Sequence, residues 1–389
     1  MGRPAQRVLV AGGAIGRFGR FVDQPLTAIA TPVVRDALAT VGLTTKDIEA
    51  AFVGNAFGGA LAGQESILAQ VLLAPAGLAR IPMRTVKNAC SSGSDAVHLA
   101  WSAIAYGQYD CVLVLGAEKL THGDKARSFA ALASATDHPP QSGGRSVFMD
   151  VNAERANTYM ARYGATPMHF AKVAVKNRAH AGLNERAAER APLTVEGVLA
   201  DKVVIAPLTR AMCGGMVDGA ACVILVSEDF ARRRGLTGSV VAASSVVSGV
   251  PEGDAEGNAT HRAAQAAYES AGIAPSDVSI AEVHDPSAPQ ELFDIEDLML
   301  CPRGGAIALV DEGATSLGGR IPVNVSGGLT SRGHPVGATG VAQILEIHEQ
   351  LAGRAGAAQV AGAKVGLAQM AGGLLGRDSA FATVHLLTV

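Results

Sequence analysis

A cysteine between a short strand pattern and an apolar helix pattern is the strongest candidate nucleophile in this sequence. Cys90 lies in the segment VKNACSSGSD (residues 86–95), and apolar spacing from Val97 to Ile104 predicts a helix that begins just after it. Unpaired N–H groups and the positive dipole end of a helix start favour a thiolate over a thiol. We therefore predict that Cys90 is a nucleophile with a lowered pKa. The alternative is a small structural cysteine buried under a helix.

A histidine far downstream could supply the base that such a nucleophile needs. His334 lies in NVSGGLTSRGHPVGATG (residues 324–340), which again leads into an apolar helix pattern over residues 341–351. A histidine on a glycine-rich turn can approach another backbone closely, and a nucleophilic cysteine requires a base within hydrogen-bond reach. We predict that Cys90 and His334 form a catalytic pair. The alternative is a buried histidine bonded to a loop carbonyl.

These two segments resemble the nucleophile motif and the Gly-His-Pro motif of the thiolase superfamily. The run SGGLTSRGHPVGATGVAQ is most similar to the sterol-carrier-protein-type (lipid-transfer) thiolases and their bacterial and archaeal acetyl-CoA acetyltransferase relatives. The resemblance extends over essentially the whole chain.

An internal repeat indicates a duplicated α/β unit. Residues 37–55 (ALATVGLTTKDIEAAFVGN) align without gaps on residues 267–285 (AYESAGIAPSDVSIAEVHD), and each copy reads as a helix, a glycine cap, an Asp-bearing loop and a strand. The active site is then expected where the two halves meet.

The resemblance implies the same architecture: a thiolase fold with two duplicated α/β halves in a five-layer αβαβα arrangement and an inserted loop domain. We place the N-terminal half at residues 1–119 and 199–238, the loop domain over the active site at residues 120–198, and the C-terminal half at residues 239–389.

The chemistry implied by the resemblance is acyl transfer from a coenzyme A thioester through a thioester on Cys90. His334 would take the thiol proton and later help to bind the carbonyl oxygen. One oxyanion site would combine the Cys90 N–H with a late glycine, and the other would use His334 with a water or with His284. The implied catalytic residues are Cys90, His334 and His284, and the implied oxyanion or substrate-positioning residues are Gly372, Gly373 and Asn324.

Two places depart from the family pattern. The motif at His284 keeps its His-Asp start but continues with Pro286 and Ser287. In the late turn, where thiolases place a Cys or a His-Asn pair, Gln369 and Met370 stand instead. An amide or a thioether cannot abstract a proton near pH 7. The base for a carbon–carbon condensation is therefore open between His284, His122 and a water.

Composition narrows the class of protein. A chain of 389 residues predicts two core units, and a net charge of −3 lacks the basic bias of a nucleic-acid binder. The longest apolar runs have the length of a strand and are too short to span a membrane. Five widely spaced cysteines fit neither a disulfide framework nor a zinc site, which favours a reducing cytoplasm. We expect no resident metal, no covalently bound cofactor and no dinucleotide site at Gly12–Gly16, where the glycine spacing is wrong.

Several readings remain open from sequence. A β-ketothiolase and a C-acyltransferase with another acceptor are both compatible with the motifs. A thiolase-like retro-aldolase acting with an OB-fold partner and a non-catalytic thiolase-like subunit are alternatives, against which Cys90 and His334 argue. Family resemblance further predicts a homodimer or larger homo-oligomer, and a small OB-fold, zinc-ribbon partner.

Overall fold

The structure is a computed structural model that describes residues 6–137, 146–254 and 257–389. Residues 138–145 of the predicted loop domain, and residues 1–5 and 255–256 of the two halves, lie outside the described residues. The strands are β1 (Val8–Ile15), β2 (Ala50–Gly54), β3 (Met83–Val86), β4 (Cys111–Glu118), β5 (Val203–Ile205), β6 (Leu208–Thr209), β7 (Gly219–Ser227), β8 (Ser239–Ser248), β9 (Ile280–Glu282), β10 (Val365–Leu375) and β11 (Asp378–Thr388).

The helices alternate with these strands along the chain. They are α1 (Leu26–Thr40), α2 (Gly58–Ala62), α3 (Leu68–Leu73), α4 (Ser92–Ala105), α5 (Lys125–Ala133), α6 (Val147–Tyr163), α7 (Pro167–Gly182), α8 (Val195–Ala200), α9 (Glu228–Arg234), α10 (Ala259–Ala271), α11 (Ala288–Asp297), α12 (Ala306–Asp311) and α13 (Val336–Leu351). Among the helices in the described part of the chain, none is long and apolar enough to cross a membrane.

The predicted duplication is confirmed by the sheet topology. In the N-terminal half the strand order is β3-β2-β4-β7-β1, with β3, β2 and β4 parallel and the last two strands antiparallel to their neighbours. In the C-terminal half the order β9-β10-β11-β8 repeats this pattern, and Val323 pairs in parallel with Ala281 where the first half has β3. A short pairing of β1 with β8 joins the two halves into one continuous strand order.

The repeated segment adopts the same local structure in both copies. Gly42 and Gly272 end their helices with φ of 65° and 63°, a left-handed conformation that favours glycine. Asp47 accepts a hydrogen bond from the Thr44 N–H at 2.8 Å, and Asp277 accepts one from the Ala274 N–H at 2.9 Å. The sequence repeat therefore corresponds to a repeated helix cap and turn.

Five layers follow from how the helices cover the sheet. Helices α1 and α3 cover the outer face of the N-terminal half, and α10 and α11 cover the outer face of the C-terminal half. Helices α4 and α13 lie between the halves in a shared apolar core. A Cβ on Gly93 would lie 2.4 Å from the Gly337 carbonyl oxygen, and one on Gly340 would lie 2.6 Å from the Ser94 nitrogen. The two central helices thus meet backbone to backbone, which brings the segments before them together.

Candidate active site

A tight turn between β3 and α4 positions Cys90. Ala89 has a φ of 47°, in the left-handed region that non-glycine residues rarely adopt. The Asn88 N–H donates to the Ser92 hydroxyl at 2.9 Å, and the Asn88 side-chain amide donates to Asp95 at 2.6 Å. These bonds hold the turn, so Cys90 stands immediately before the first turn of α4, as the sequence predicts.

The electrostatic environment of Cys90 differs from the prediction. Its pKa is raised to about 12, first because burial disfavours the thiolate and further because the Glu118 carboxylate lies nearby. The N–H groups of Gly373 and of Cys90 itself lower the pKa but do not offset burial. The predicted lowering by the helix start is therefore wrong for the free protein. Cys90 is a thiol near pH 7 and needs a base to react.

His334 is held in a defined tautomer on the loop that leads into α13. Its Nδ1 lies 2.8 Å from the Thr339 hydroxyl, and that hydroxyl donates to the Pro335 carbonyl at 3.1 Å. Since the hydroxyl has one proton, its oxygen accepts from Nδ1–H, and this network assigns the lone pair to Nε2. Burial, together with the charges of His284 and Arg332, places the His334 pKa well below its ordinary value, so the ring is neutral near pH 7.

His284 follows β9 and is fixed through its backbone. Its N–H donates to the Gln369 side-chain oxygen at 2.8 Å, and the preceding Val283 N–H donates to the Asn324 side-chain oxygen at 2.9 Å. Burial lowers the His284 pKa to about 3. Its Nε2 is buried and has no hydrogen-bond partner among the residues that the structure describes.

These three side chains meet at one point. The Cys90 sulfur and one ring nitrogen from each of His284 and His334 lie within 4.8 Å of one another. The two imidazole rings are 5.2 Å apart, centre to centre, and edge-on at 70°. They come from three segments of the chain, and the contacts of α13 with α4 and with β9 bring these together.

The group lies in the wall of a cavity of about 680 Å³. Apolar side chains from α5 and α6 cover it, among them Phe129, Leu132, Phe148 and Met149. Among the described residues, the charged side chains in its wall are all basic: Lys125, Arg155, Lys202 and Arg210. The arrangement offers a thiol, two neutral imidazoles and a cationic surround, which suit nucleophilic attack on an anionic thioester.

Strand β10 meets the cavity with residues other than the two that the sequence singled out. Ala371 and Gly373 line the cavity, whereas Gln369 and Met370 are buried outside it. A Cβ on Gly372 would lie 2.2 Å from the Asn88 carbonyl oxygen, so this glycine allows β10 to pack against the Cys90 turn.

Two other candidates lie outside the group. Asn324 is fully buried and does not line the cavity; its side chain bonds the Val283 N–H and Glu291, so it supports the His284 segment. His122 lines a separate polar cavity of about 270 Å³ and bonds Asp124 and Arg127. Of the bases left open by sequence, His284 is the one placed beside Cys90.

A buried carboxylate that sequence reasoning missed ties the site together. Glu118, at the end of β4, accepts hydrogen bonds from the N–H groups of Ala56 (2.8 Å), Phe57 (3.2 Å) and Gly337 (3.1 Å), and from the Asn55 amide (3.0 Å). Burial raises its pKa to about 7, although the hydrogen bonds from these donors act to lower it. The sequence contains one signal for Glu118: an acidic residue ends a fully apolar strand, and a buried charge requires partners.

Cys213 was also missed as a residue of this cavity. It lies in the wall, and the Gly214 N–H after it donates to the Pro286 carbonyl at 2.9 Å, two residues beyond His284. In the sequence it was only one of five scattered cysteines, and no local pattern marked it.

Comparisons with known proteins agree with this geometry. A domain description named thiolase, N-terminal domain, matches residues 8–229, and one named thiolase C-terminal domain-like matches residues 243–384. An acetyl-CoA acetyltransferase of Methanothermobacter thermautotrophicus is 36% identical over 386 residues, covering 98% of this chain and 99% of the relative.

Other curated relatives carry different names. Human sterol carrier protein 2 is 34% identical, with 93% of this chain and 69% of the relative covered. The benzoylsuccinyl-CoA thiolase subunit BbsB of Thauera aromatica is 34% identical, with 89% of each chain covered.

Two solved structures share the fold. The Ltp2-ChsH2(DUF35) aldolase superposes with a TM-score of 0.81 at 21% identity, covering 99% of this chain and 98% of that one. Human mitochondrial 3-ketoacyl-CoA thiolase superposes with a TM-score of 0.76 at 17% identity, covering 99% of each chain.

Proposed function

We propose, from the premise that this chain belongs to the thiolase family, that it is a coenzyme A-dependent acyltransferase that forms an acyl thioester on Cys90. The observation that carries this proposal is the meeting of Cys90, His334 and His284 within 4.8 Å in the wall of one cavity. An acetyl-CoA acetyltransferase is among the relatives. The acyl group then passes to CoA or to a carbon nucleophile.

In the acylation step, His334 Nε2 accepts the Cys90 proton while the sulfur attacks the thioester carbonyl. Removal of the proton and attack are coupled, because the free thiolate is disfavoured by burial. The N–H groups of Cys90 and Gly373 adjoin the sulfur and can donate to the oxyanion. The bond from carbonyl carbon to CoA sulfur then breaks, and the departing thiolate takes the proton from His334.

In the second step, His284 serves as the base towards the acceptor. It is the remaining titratable side chain of the group at Cys90, and neither Gln369 nor Met370 reaches the cavity. Burial lowers the pKa of His284 as it does that of His334, but an α-carbon proton is far less acidic than the Cys90 thiol, so its abstraction should be slow relative to acylation. Acceptors that are already electron-rich would be favoured.

The wall of the cavity supports an acyl-CoA as substrate. Its four basic side chains fit the phosphates of coenzyme A, and the apolar side chains of α5 and α6 fit the pantetheine and acyl portions.

We further propose a homodimer built on the free edge of β3. This strand ends the sheet order, so its outer edge can extend the sheet into a second copy. Sedimentation should then give a mass near twice 39.5 kDa, and a single-chain mass at micromolar concentration would contradict the homodimer.

We also propose a small OB-fold, zinc-ribbon partner, since one relative is named a subunit and one structural neighbour is named with a DUF35 protein.

The direct test of the proposed activity is an acyl adduct. Incubation with a short acyl-CoA should add the mass of one acyl group to the intact chain, and peptide mapping should place it on Cys90. The variant Cys90→Ser should reduce acylation on the order of 10⁴-fold or more, because the nucleophile is removed. An unmodified parent chain, or equal labelling of the variant, would refute the nucleophile.

A further inference from the structure

The side chains of Cys90, His284 and His334 form a ligand set as well as a catalytic group. One sulfur and two ring nitrogens lie within 4.8 Å of one another. Around a tetrahedral zinc ion such atoms lie roughly 3.3–3.6 Å apart, as the usual Zn–S and Zn–N bond lengths require. Side-chain movements of about 1 Å would therefore bring the three atoms to a common ion.

Both histidines present suitable donor atoms. The Nε2 atoms of His284 and His334 are buried and bond no other group in the described part of the chain. Thr339 holds the Nδ1–H of His334, which leaves its Nε2 lone pair free. A hydrogen bond on the distal nitrogen is the usual support of a metal-bound imidazole. The backbone of His284 is fixed in turn by Gln369.

The donor types select the class of cation. Two imidazoles and a thiolate favour Zn²⁺ and similar borderline ions, whereas Mg²⁺ and Ca²⁺ prefer oxygen. Within the described residues, no carboxylate joins this group. The remaining coordination position would face the cavity, where water or an anion has access.

We propose that Cys90, His284 and His334 bind Zn²⁺ reversibly and that the bound ion shuts off the reactivity of Cys90. Binding replaces the S–H bond by a Zn–S bond and releases the proton to solvent, with no change of oxidation state. The ion occupies the lone pairs that proton transfer requires. This inference goes beyond the proposed function and does not depend on acyl transfer.

Cobalt binding tests the site without any substrate. The chelator-treated full-length chain is titrated with Co²⁺, and a thiolate-to-cobalt charge-transfer band with strong visible bands should appear with a stoichiometry of one. Cys90→Ser should remove the charge-transfer band. His334→Ala should weaken binding at least about 100-fold, and Thr339→Val about 10- to 100-fold, the usual cost of losing an outer-shell partner. Cys301→Ser, in a separate cavity, is the matched control and should bind as the parent does.

A second measurement uses the parent chain alone, so that a misfolded variant cannot confuse the result. Zn²⁺ should protect Cys90 from alkylation by iodoacetamide, and Mg²⁺ at the same concentration should not. Bands that survive Cys90→Ser, bands that His334→Ala leaves unchanged, or alkylation that ignores Zn²⁺ would each overturn the proposal. The outcome is separable from the proposed function, since formation of the acyl adduct is measured on the chelator-treated chain with no Zn²⁺ added.

Discussion

The loop that carries His334 and the strand that carries Gln369 approach the same cavity but contribute different chemistry. The loop supplies an imidazole whose Nδ1–H is held by Thr339 and whose Nε2 is free to accept a proton. Strand β10 supplies Ala371, Gly373 and Leu374, none of which titrates. Proton transfer at the Cys90 sulfur therefore has an oriented base, His334, whereas proton transfer at an acceptor carbon depends on His284.

The largest expected effect in this comparison comes from removing His334, the base at the Cys90 sulfur. His334→Ala should slow acylation of Cys90 by about 10²- to 10⁴-fold, the usual contribution of a general base. Single-turnover formation of the acyl adduct measures this directly. The matched control is Thr339→Val, which keeps the imidazole but frees its tautomer and should cost less than His334→Ala. Equal rates for the parent and His334→Ala would remove this histidine from the mechanism.

At the acceptor carbon, Gln369 should act by positioning His284 and not as a base. Gln369→Leu removes the acceptor of the buried His284 N–H, which should cost about 1–3 kcal/mol of unfolding free energy. Condensation should fall with it while acylation stays near the parent rate. Denaturant unfolding and the two rates check these effects. Faster condensation in Gln369→His would show instead that position 369 faces the acceptor.

The smallest expected effect is the pH dependence of acylation. Burial lowers the pKa values of both His334 and His284, so neither should give a rise in rate near pH 6.5. Glu118, with a pKa of about 7, gains its charge as the pH rises through 7 and then disfavours a thiolate at Cys90. The rate should therefore decline by a few-fold across pH 7, and the decline should vanish in Glu118→Gln.

A rate that rises through pH 6.5 would contradict that description, because it would require a histidine with an ordinary pKa. Thermal unfolding of Glu118→Gln serves as the control, since the amide replaces a carboxylate that accepts several N–H groups.

Local signals made the Cys90 turn, the His334 loop and the repeat around Gly42 and Gly272 predictable. Each depends on neighbouring residues: a helix start, a glycine-rich turn or a cap. The part of β10 that meets the cavity was not predictable, because Gln369 and Ala371 share one face of the strand and only the folded chain shows how far along that face the cavity extends. For that reason Gln369 and Met370 were expected at the acceptor and Ala371 was not.

Long-range contacts account for the other differences. The donors to Glu118 come from the segment after β2 and from the start of α13, which only the folded chain brings together. The Cys90 pKa shifts opposite to the sequence prediction because burial outweighs the helix start. Neither burial depth nor such convergence is encoded in a local motif.

The most direct test compares the two half-reactions in the parent protein. Acylation of Cys90 by acetyl-CoA is measured by rapid quench and mass analysis, and condensation of two acetyl-CoA molecules is measured as acetoacetyl-CoA formed. We expect acylation to exceed condensation by about 10²- to 10⁴-fold, and His284→Ala to abolish the residual condensation without slowing acylation. Two results would contradict the assignment of His334 as the base at the Cys90 sulfur and of His284 as the base at the acceptor carbon. They are condensation as fast as acylation and condensation that His284→Ala leaves unaffected.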